Sequence, residues 1–308
     1  MTPFQTVLCA LDFEPGSARA LVRAADVAER AGGALHLVHV TPRAQPAGAA
    51  EGAFRQRAGR FVDDVLGGSA NPAAEVHRAH GAPADGVLRQ AAAVGADLVV
   101  LGTHGRRGLA HLALGSVAAE VLRRSPVPVL VVPEQAARTA PGPDAPVLVA
   151  VDFSAGAALA ARLGRDLAGA YGAPVVLAHV RAAAPDTLLR PPSLQRGAER
   201  GGSGLSRSEA HAALDRLAER AGLGPPAPEQ YVVPGAPVDA LAELAGRTGA
   251  GVLVVGTHGR SGWDRLRLGS VAEGVVRRTP CPVLVAPSAG GAGGPVEAGA
   301  DAPDPAPA

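Results

Sequence analysis

The chain has 308 residues, 47% of them hydrophobic but only 3% aromatic, which suits two domains of about 150 residues with cores of Val, Leu and Ala. Its 29 basic residues are all arginine and meet 28 acidic ones, for a net charge of +1; this argues against a broad nucleic-acid footprint, and a chain without lysine cannot supply the cation of a Walker-type phosphate loop. No apolar run reaches the length of a membrane span, no positive leader precedes Asp12, and Cys9 and Cys281 sit in apolar runs of different halves, so the expectation is a cytoplasmic protein with buried thiols.

In chain order, strands are predicted at 6–11, 34–40, 75–79, 98–101 and 129–132, with helices at 17–31, 54–66, 84–94 and 116–124 between them. The strands are near-continuous Val and Leu runs, as strands buried on both faces should be. The helices space their apolar residues by three to four, as at Leu21, Ala25 and Ala28. Such alternation predicts an α/β fold with a parallel sheet covered on both faces. Pro141-Gly142-Pro143-Asp144 reads as a short, stiff linker.

Beyond the linker the pattern returns. Val7 to Phe13 matches Val147 to Phe153 at an offset of 140, whereas Gly81-Ala82-Pro83 matches Gly235-Ala236-Pro237 at an offset of 154, so the second half carries 14 extra residues. Their expected place is the Gly/Ser-rich stretch 197–206. The segments 102–131 and 256–285 share 20 of 30 residues. Both open on Gly-Thr-His-Gly, and after nine further residues both reach Gly-Ser. The predicted domains are therefore 1–138 and 145–288, with a disordered Ala/Gly/Pro-rich tail at 289–308.

Each glycine loop follows a buried strand and precedes a helix. Gly102 and Gly105, like Gly256 and Gly259, would permit positive φ and close approach of a ligand. Ser116 and Ser270 can cap the helices that follow. The first N–H groups of those helices lack intrahelical partners and lie at the positive end of the dipole, so an anion such as a phosphate chain fits there. Tight turns alone are the alternative reading. Asp12 and Asp152 end the first strands, and if first and fourth strands are neighbours, each Asp and its loop flank one crevice beyond the strand ends. A carboxylate there can accept from a ribose, or it can merely cap the next helix.

With these residues in place the chain resembles the universal stress protein family. The resemblance rests on the paired Gly-x2-Gly-x9-Gly-Ser loops, the Val-x-x-Ala-x-Asp first strands, the Leu-x-His-Val second strands and the Ser/Thr-Pro-x-Pro-Val-Leu-Val fifth strands, and covers about residues 4–134 and 146–287. It implies two Rossmann-like, doubly wound domains, each a five-stranded parallel sheet of order 3-2-1-4-5. It implies ATP as ligand, with or without Mg. By resemblance Asp12 and Asp152 would meet the ribose, as would Gly102 and Gly256, and the backbone at Val40 and Val180 would meet the adenine. Gly105, Gly115, Ser116 and Val117, with Gly259, Gly269, Ser270 and Val271, would meet the phosphates. Antiparallel pairing of fifth strands is also implied; here it could be satisfied within one chain, and a homodimer through other surfaces stays open.

The halves differ in one telling place. The second reads Asp152-Phe153-Ser154, whereas the first has Glu14 where the family often has serine. A carboxylate beside a triphosphate opposes binding unless a cation intervenes, so the second site is expected to bind more tightly. Arg106 and Arg260 could hold phosphate in a forked geometry, or be solvated loop charges. His39, His179, His104 and His258 read as structural. No Cys/His cluster shows zinc spacing, and His77 and His80 should face opposite ways on a strand. No nucleophile elbow, paired acids or phosphoryl-transfer lysine is present. The expected function is an ATP-binding stress regulator, with slow ATP hydrolysis at most. Two alternatives stand beside it: a nucleotide-independent interaction module of the same fold, and an ATP-consuming enzyme of a related α/β superfamily.

Overall fold

The computed structural model describes residues 3–42, 49–67, 74–103, 114–136, 142–154, 156–181, 205–257 and 268–287. The predicted tail and most of the predicted insertion lie outside them, as do Gly105, Arg106, Gly259 and Arg260.

The first half runs β1 (Thr6–Leu11), α1 (Pro15–Ala31), β2 (Ala34–Thr41), α2 (Ala49–Leu66), β3 (Glu75–His80), α3 (Pro83–Val94), β4 (Leu98–Gly102), α4 (Ser116–Arg124) and β5 (Val129–Val132). The second repeats it with β6 (Val147–Ala150), α5 (Ala157–Tyr171), β7 (Val175–Arg181), α6 (Arg207–Ala221), β8 (Glu229–Pro234), α7 (Pro237–Thr248), β9 (Val252–Gly256), α8 (Ser270–Arg278) and β10 (Val283–Ala286). Two helices start earlier than their apolar patterns indicate. At α1, Pro15 occupies the first turn, where its fixed φ suits a helix and its missing N–H costs nothing. At α2, the Ala49–Ala53 stretch has no apolar period, but alanine favours helix and Glu51 pairs with Arg55 one turn on at 3.1 Å.

Each half has its strands in the order third, second, first, fourth, fifth, all parallel. The two sets are not separate sheets. β5 and β10 pair antiparallel, with Leu130 opposite Leu284, and join the halves into one ten-stranded sheet. The prolines before the fifth strands therefore do not mark a free edge. Their carbonyls serve the neighbouring strands instead: Val99 N–H donates to Pro128 and Leu253 N–H to Pro282. The true edges are β3 and β8, whose sequences EVHRAH and EQYVVP are polar or proline-ended, which discourages further strand pairing.

Side chains alternate between two cores. One lies under α1, α2, α5 and α6; the other lies under α3, α4, α7 and α8. This is the doubly wound arrangement expected. The halves also touch outside the sheet: the Arg30 guanidinium of α1 sits over the Tyr171 ring of α5 at 4.9 Å, and Gln135 Nε2 donates to the Thr279 carbonyl. Both cysteines are buried. Burial pushes the Cys281 thiol up to about 12 and the Cys9 thiol higher still, so both are small core residues and weak nucleophiles. Among the described residues no helix is long and apolar enough to cross a membrane.

Candidate functional site

The crevice expected at each switch point begins with the residue that ends the first strand. Asp12 Oδ1 accepts the Glu14 N–H at 3.0 Å, and Asp152 Oδ1 accepts the Ser154 N–H at 2.9 Å. The same short turn is thus built in both halves, and the residue two places on contributes its backbone whatever its side chain. Between them Phe13 and Phe153 take φ of 65° and 59°, a left-handed conformation that non-glycine residues adopt at a cost of about 1–2 kcal/mol each.

Two histidines hold that turn. His39 Nδ1 donates to the Leu11 carbonyl at 2.8 Å, and His179 Nδ1 to the Val151 carbonyl at 2.7 Å. Because the acceptor is a carbonyl, Nδ1 carries the proton in each ring. Each ring also lies against the left-handed phenylalanine, with centroids 4.7 Å apart for Phe13–His39 and 4.5 Å for Phe153–His179. The structural role read for these histidines is now specific: they fix the carbonyl and the aromatic ring that flank the Asp. The left-handed Phe went unread in the sequence, although a repeated Asp-Phe at the strand end was its only available signal.

The glycines work differently from the expectation. None of Gly102, Gly115, Gly256 and Gly269 has positive φ. A side chain on Gly102 would place its Cβ 2.9 Å from the Gly16 carbonyl oxygen, so this glycine lets the end of β4 lie against the start of α1. Gly115 and Gly269 are themselves the helix caps, with extended ψ of 144° and 139°, and no side chain caps either helix. Ser116 and Ser270 are the first helical residues, one place beyond the cap position assigned to them. Each loop is closed at its base by a backbone bond: Gly115 N–H donates to the Thr103 carbonyl at 2.8 Å and Gly269 N–H to the Thr257 carbonyl at 2.9 Å. Thr103 and Thr257 are buried, and the repeated Gly-Thr was the overlooked signal for that closure.

In the second half these parts enclose a cavity of about 260 Å³. Asp152, Val180, Gly256, Gly269, Ser270 and Val271 all line it, at the carboxyl ends of β6, β7 and β9 and the start of α8. The rest of its wall is mainly apolar, including Ala178 and Leu241. The arrangement offers an apolar slot, one carboxylate and the N-terminus of a helix, a combination suited to a flat heterocycle bearing a sugar and an anion. In the first half Asp12, Val40, Gly102, Gly115, Ser116 and Val117 hold the matching places at β1, β2, β4 and α4.

The inequality read from Glu14 has a counterweight. Glu273 lies in the first turn of α8, where the first half has Ala119, although it pairs with Arg277 at 3.6 Å. An acid in that turn competes with an anion for the helix dipole.

Comparison with known proteins gives a consistent result. The universal stress protein family matches residues 3–133 and again 145–287. A universal stress protein of Thermus aquaticus is 32% identical over 142 residues, spanning 45% of this chain and 96% of that protein. This chain spans only 30% of a 45%-identical relative from Methanocaldococcus jannaschii and 51% of a 33%-identical one from Mycobacterium bovis. Among solved structures, a putative universal stress protein of Pseudomonas aeruginosa superimposes with a TM-score of 0.65 at 20% identity, covering 92% of this chain and 93% of its own. One from Archaeoglobus fulgidus gives 0.64 at 20%, covering 92% and 98%. At that identity the two structures speak for the fold.

Proposed function

The chain belongs to the universal stress protein family in its two-domain form, and from that premise we propose that it binds ATP in the paired crevices and acts as a nucleotide-tuned stress regulator. The observation that carries this reading is the cavity of the second half, with Asp152 at one side, Val180 at another and the uncapped start of α8 at its mouth. Its volume of about 260 Å³ sits near the lower end of ligand pockets, about 300 Å³. That is room for an adenosine body, with the phosphates running out along the loop.

In this reading the apolar wall at Ala178 and Leu241 takes the adenine beside the Val180 backbone, and the Asp152 carboxylate accepts from the ribose hydroxyls. The first N–H groups of α8, the Ser270 hydroxyl and the dipole hold phosphate oxygens. Asp12, Val40, Gly102, Gly115, Ser116 and Val117 do the same in the first half, and Gly105, Arg106, Gly259 and Arg260 complete the two loops. A Mg ion riding on the phosphates would offset Glu14. The chain has no lysine to drive phosphoryl transfer, and among the described residues lining the cavity Asp152 is the one titratable group, so in this reading turnover is slow and occupancy is the signal.

Single-site variants test the reading. Gly269 has φ −60° and ψ 139°, and Gly115 is similar, so both backbones suit valine, and at Gly269, which lines the cavity, its side chain would take ligand space. Titration with ATP is expected to show that Gly269→Val, which leaves only the first site, binds at least tenfold more weakly than Gly115→Val, a difference of about 1.4 kcal/mol. Equal residual affinities would remove the inequality. Affinities of both variants unchanged from the parent would remove the site assignment.

A further inference from the structure

A second polar constellation lies far from the crevices, near the amino ends of β2 and β3 on the sheet face that also carries Val38 and Ala79. His36 Nδ1 stands 3.0 Å from His77 Nε2, with the rings stacked at a centroid distance of 5.3 Å. Glu75 reaches both: one carboxylate oxygen is 3.6 Å from His36 Nδ1 and the other 3.9 Å from His77 Nε2. One ligand atom from each of the three residues lies within 4.8 Å of the others. The imidazoles are largely covered, at 15% and 18% exposure, whereas Glu75 is 67% exposed.

We propose that His36, Glu75 and His77 form a binding site for a divalent first-row transition-metal ion of the zinc class. Two imidazole nitrogens and a carboxylate oxygen are the donors such ions take, leaving a fourth position for water. Metal–ligand bonds of about 2.0–2.1 Å put tetrahedral ligand atoms about 3.3 Å apart. The histidine pair need open by only a few tenths of an ångström, and the exposed Glu75 can swing in. Where one imidazole donates to the other, the accepting nitrogen carries a lone pair, and the donating ring ligates once its proton moves to its other nitrogen, the tautomer a neutral imidazole can also adopt. Arg55, whose charge reaches His77, is answered by Glu51 at 3.1 Å, and Glu51 also meets Arg78 at 3.6 Å.

The register explains why the site is absent from the spacing of the sequence. Parallel pairing sets His36 opposite Glu75 and Val38 opposite His77, so the ligands come from two strands. Reading His77 only against His80 missed its partner. The second half supplies an internal control. There the same register sets Val176 opposite Glu229 and Ala178 opposite Tyr231. The carboxylate persists, but it accepts from the Tyr231 hydroxyl at 2.7 Å and no imidazole is present at these positions. The site therefore belongs to the first half, where a bound ion would tie edge strand β3 to β2 independently of nucleotide.

The test is zinc titration of the chelator-dialysed 308-residue chain, nucleotide removed, beside the double variant His36→Val/His77→Tyr and the single variant Glu75→Gln. The double variant installs the residues that the second half carries. The parent is expected to bind one zinc equivalent more than the double variant, and to gain more in melting temperature from zinc. Loss of outer-shell partners already weakens metal sites by about 10–100-fold, so Glu75→Gln should weaken this equivalent at least tenfold. Equal stoichiometry and affinity in parent and double variant would overturn the proposal, as would no uptake by the parent at high-micromolar zinc. Should the double variant fail to fold, Glu75→Gln decides: unchanged affinity overturns the site, and the stated loss supports it.

Discussion

Gly102 owes its identity to Gly16. A Cβ at Gly102 would sit 2.9 Å from the Gly16 carbonyl oxygen and 3.0 Å from its carbon, and neither backbone can step aside without moving β4 or α1. Gly102→Ala is therefore expected to destabilise by about 1–3 kcal/mol, the usual cost of overpacking. Gly59 makes the contrast: it lies exposed in α2 with nothing within 4 Å of a built Cβ, so Gly59→Ala should stabilise by about 0.5–1 kcal/mol. Denaturant melts of the two variants check both signs. A neutral Gly102→Ala would show that the close approach is not required. The same scale holds the clearest lesson about what the residues disclose. The place of Asp152 beside the cavity was readable because it ends a buried apolar strand, and the carboxyl ends of parallel strands are where ligands bind; Asp12 holds the matching place at the end of β1. The left-handed Phe13 and Phe153 were not readable, because the contacts that accompany their conformation come from His39 and His179 on another strand.

At the scale of elements, regular patterns were legible and boundaries were not. Strands such as Leu98–Gly102 announce themselves by unbroken apolar runs, whereas the start of α2 depends on alanine propensity and an ion pair. Cross-element pairs were also hidden. Arg124 and Arg278, the last residues of α4 and α8, reach Asp85 on α3 and Asp239 on α7. These pairs are exposed and contribute little stability, but they repeat the same clasp in both halves.

Helix α6 opens on a complete capping box: Ser206 Oγ accepts the Glu209 N–H at 3.2 Å, and Glu209 Oε2 accepts the Ser206 N–H at 2.7 Å. Those bonds, the backbone one first, hold the Glu209 carboxyl below its ordinary range. A depressed carboxylate contributes stability in full above its unfolded value, about 4.3, and loses it as pH falls through the lower folded value. Amide exchange at the start of α6 should therefore quicken as pH drops below about 4.3, after correction for intrinsic rates. Ser206→Ala should show the faster exchange already at neutral pH. Protection that stays constant in acid would contradict the box.

At the scale of the whole molecule, duplication creates both the site and its surroundings. Each half alone would expose its fifth strand, an apolar edge open to other chains. Joining β5 to β10 buries both edges in one sheet and fixes the two crevices on a single frame. The repeat was legible because its motifs recur in register, and the parallel sheet because strands alternate with helices; the strand order and the fifth-strand pairing were expectations of the family resemblance, which the pairing of β5 with β10 matches. The His36–Glu75–His77 cluster was not legible, since it exists only once β2 and β3 are aligned. Nor was the placement of Ser116 and Ser270, which begin their helices rather than cap them, a matter of one residue in the closure of the loop.

Occupancy of both crevices by adenine nucleotide is decided by native mass spectrometry of the intact chain, gently purified and then supplied with millimolar ATP, with the bound molecules released and identified. Complexes with one and then two ATP per chain are expected, and a ceiling of a single ATP in both Gly115→Val and Gly269→Val. A chain that stays empty at millimolar ATP, with no shift in its melting temperature, would refute nucleotide binding and leave an interaction module of the same fold.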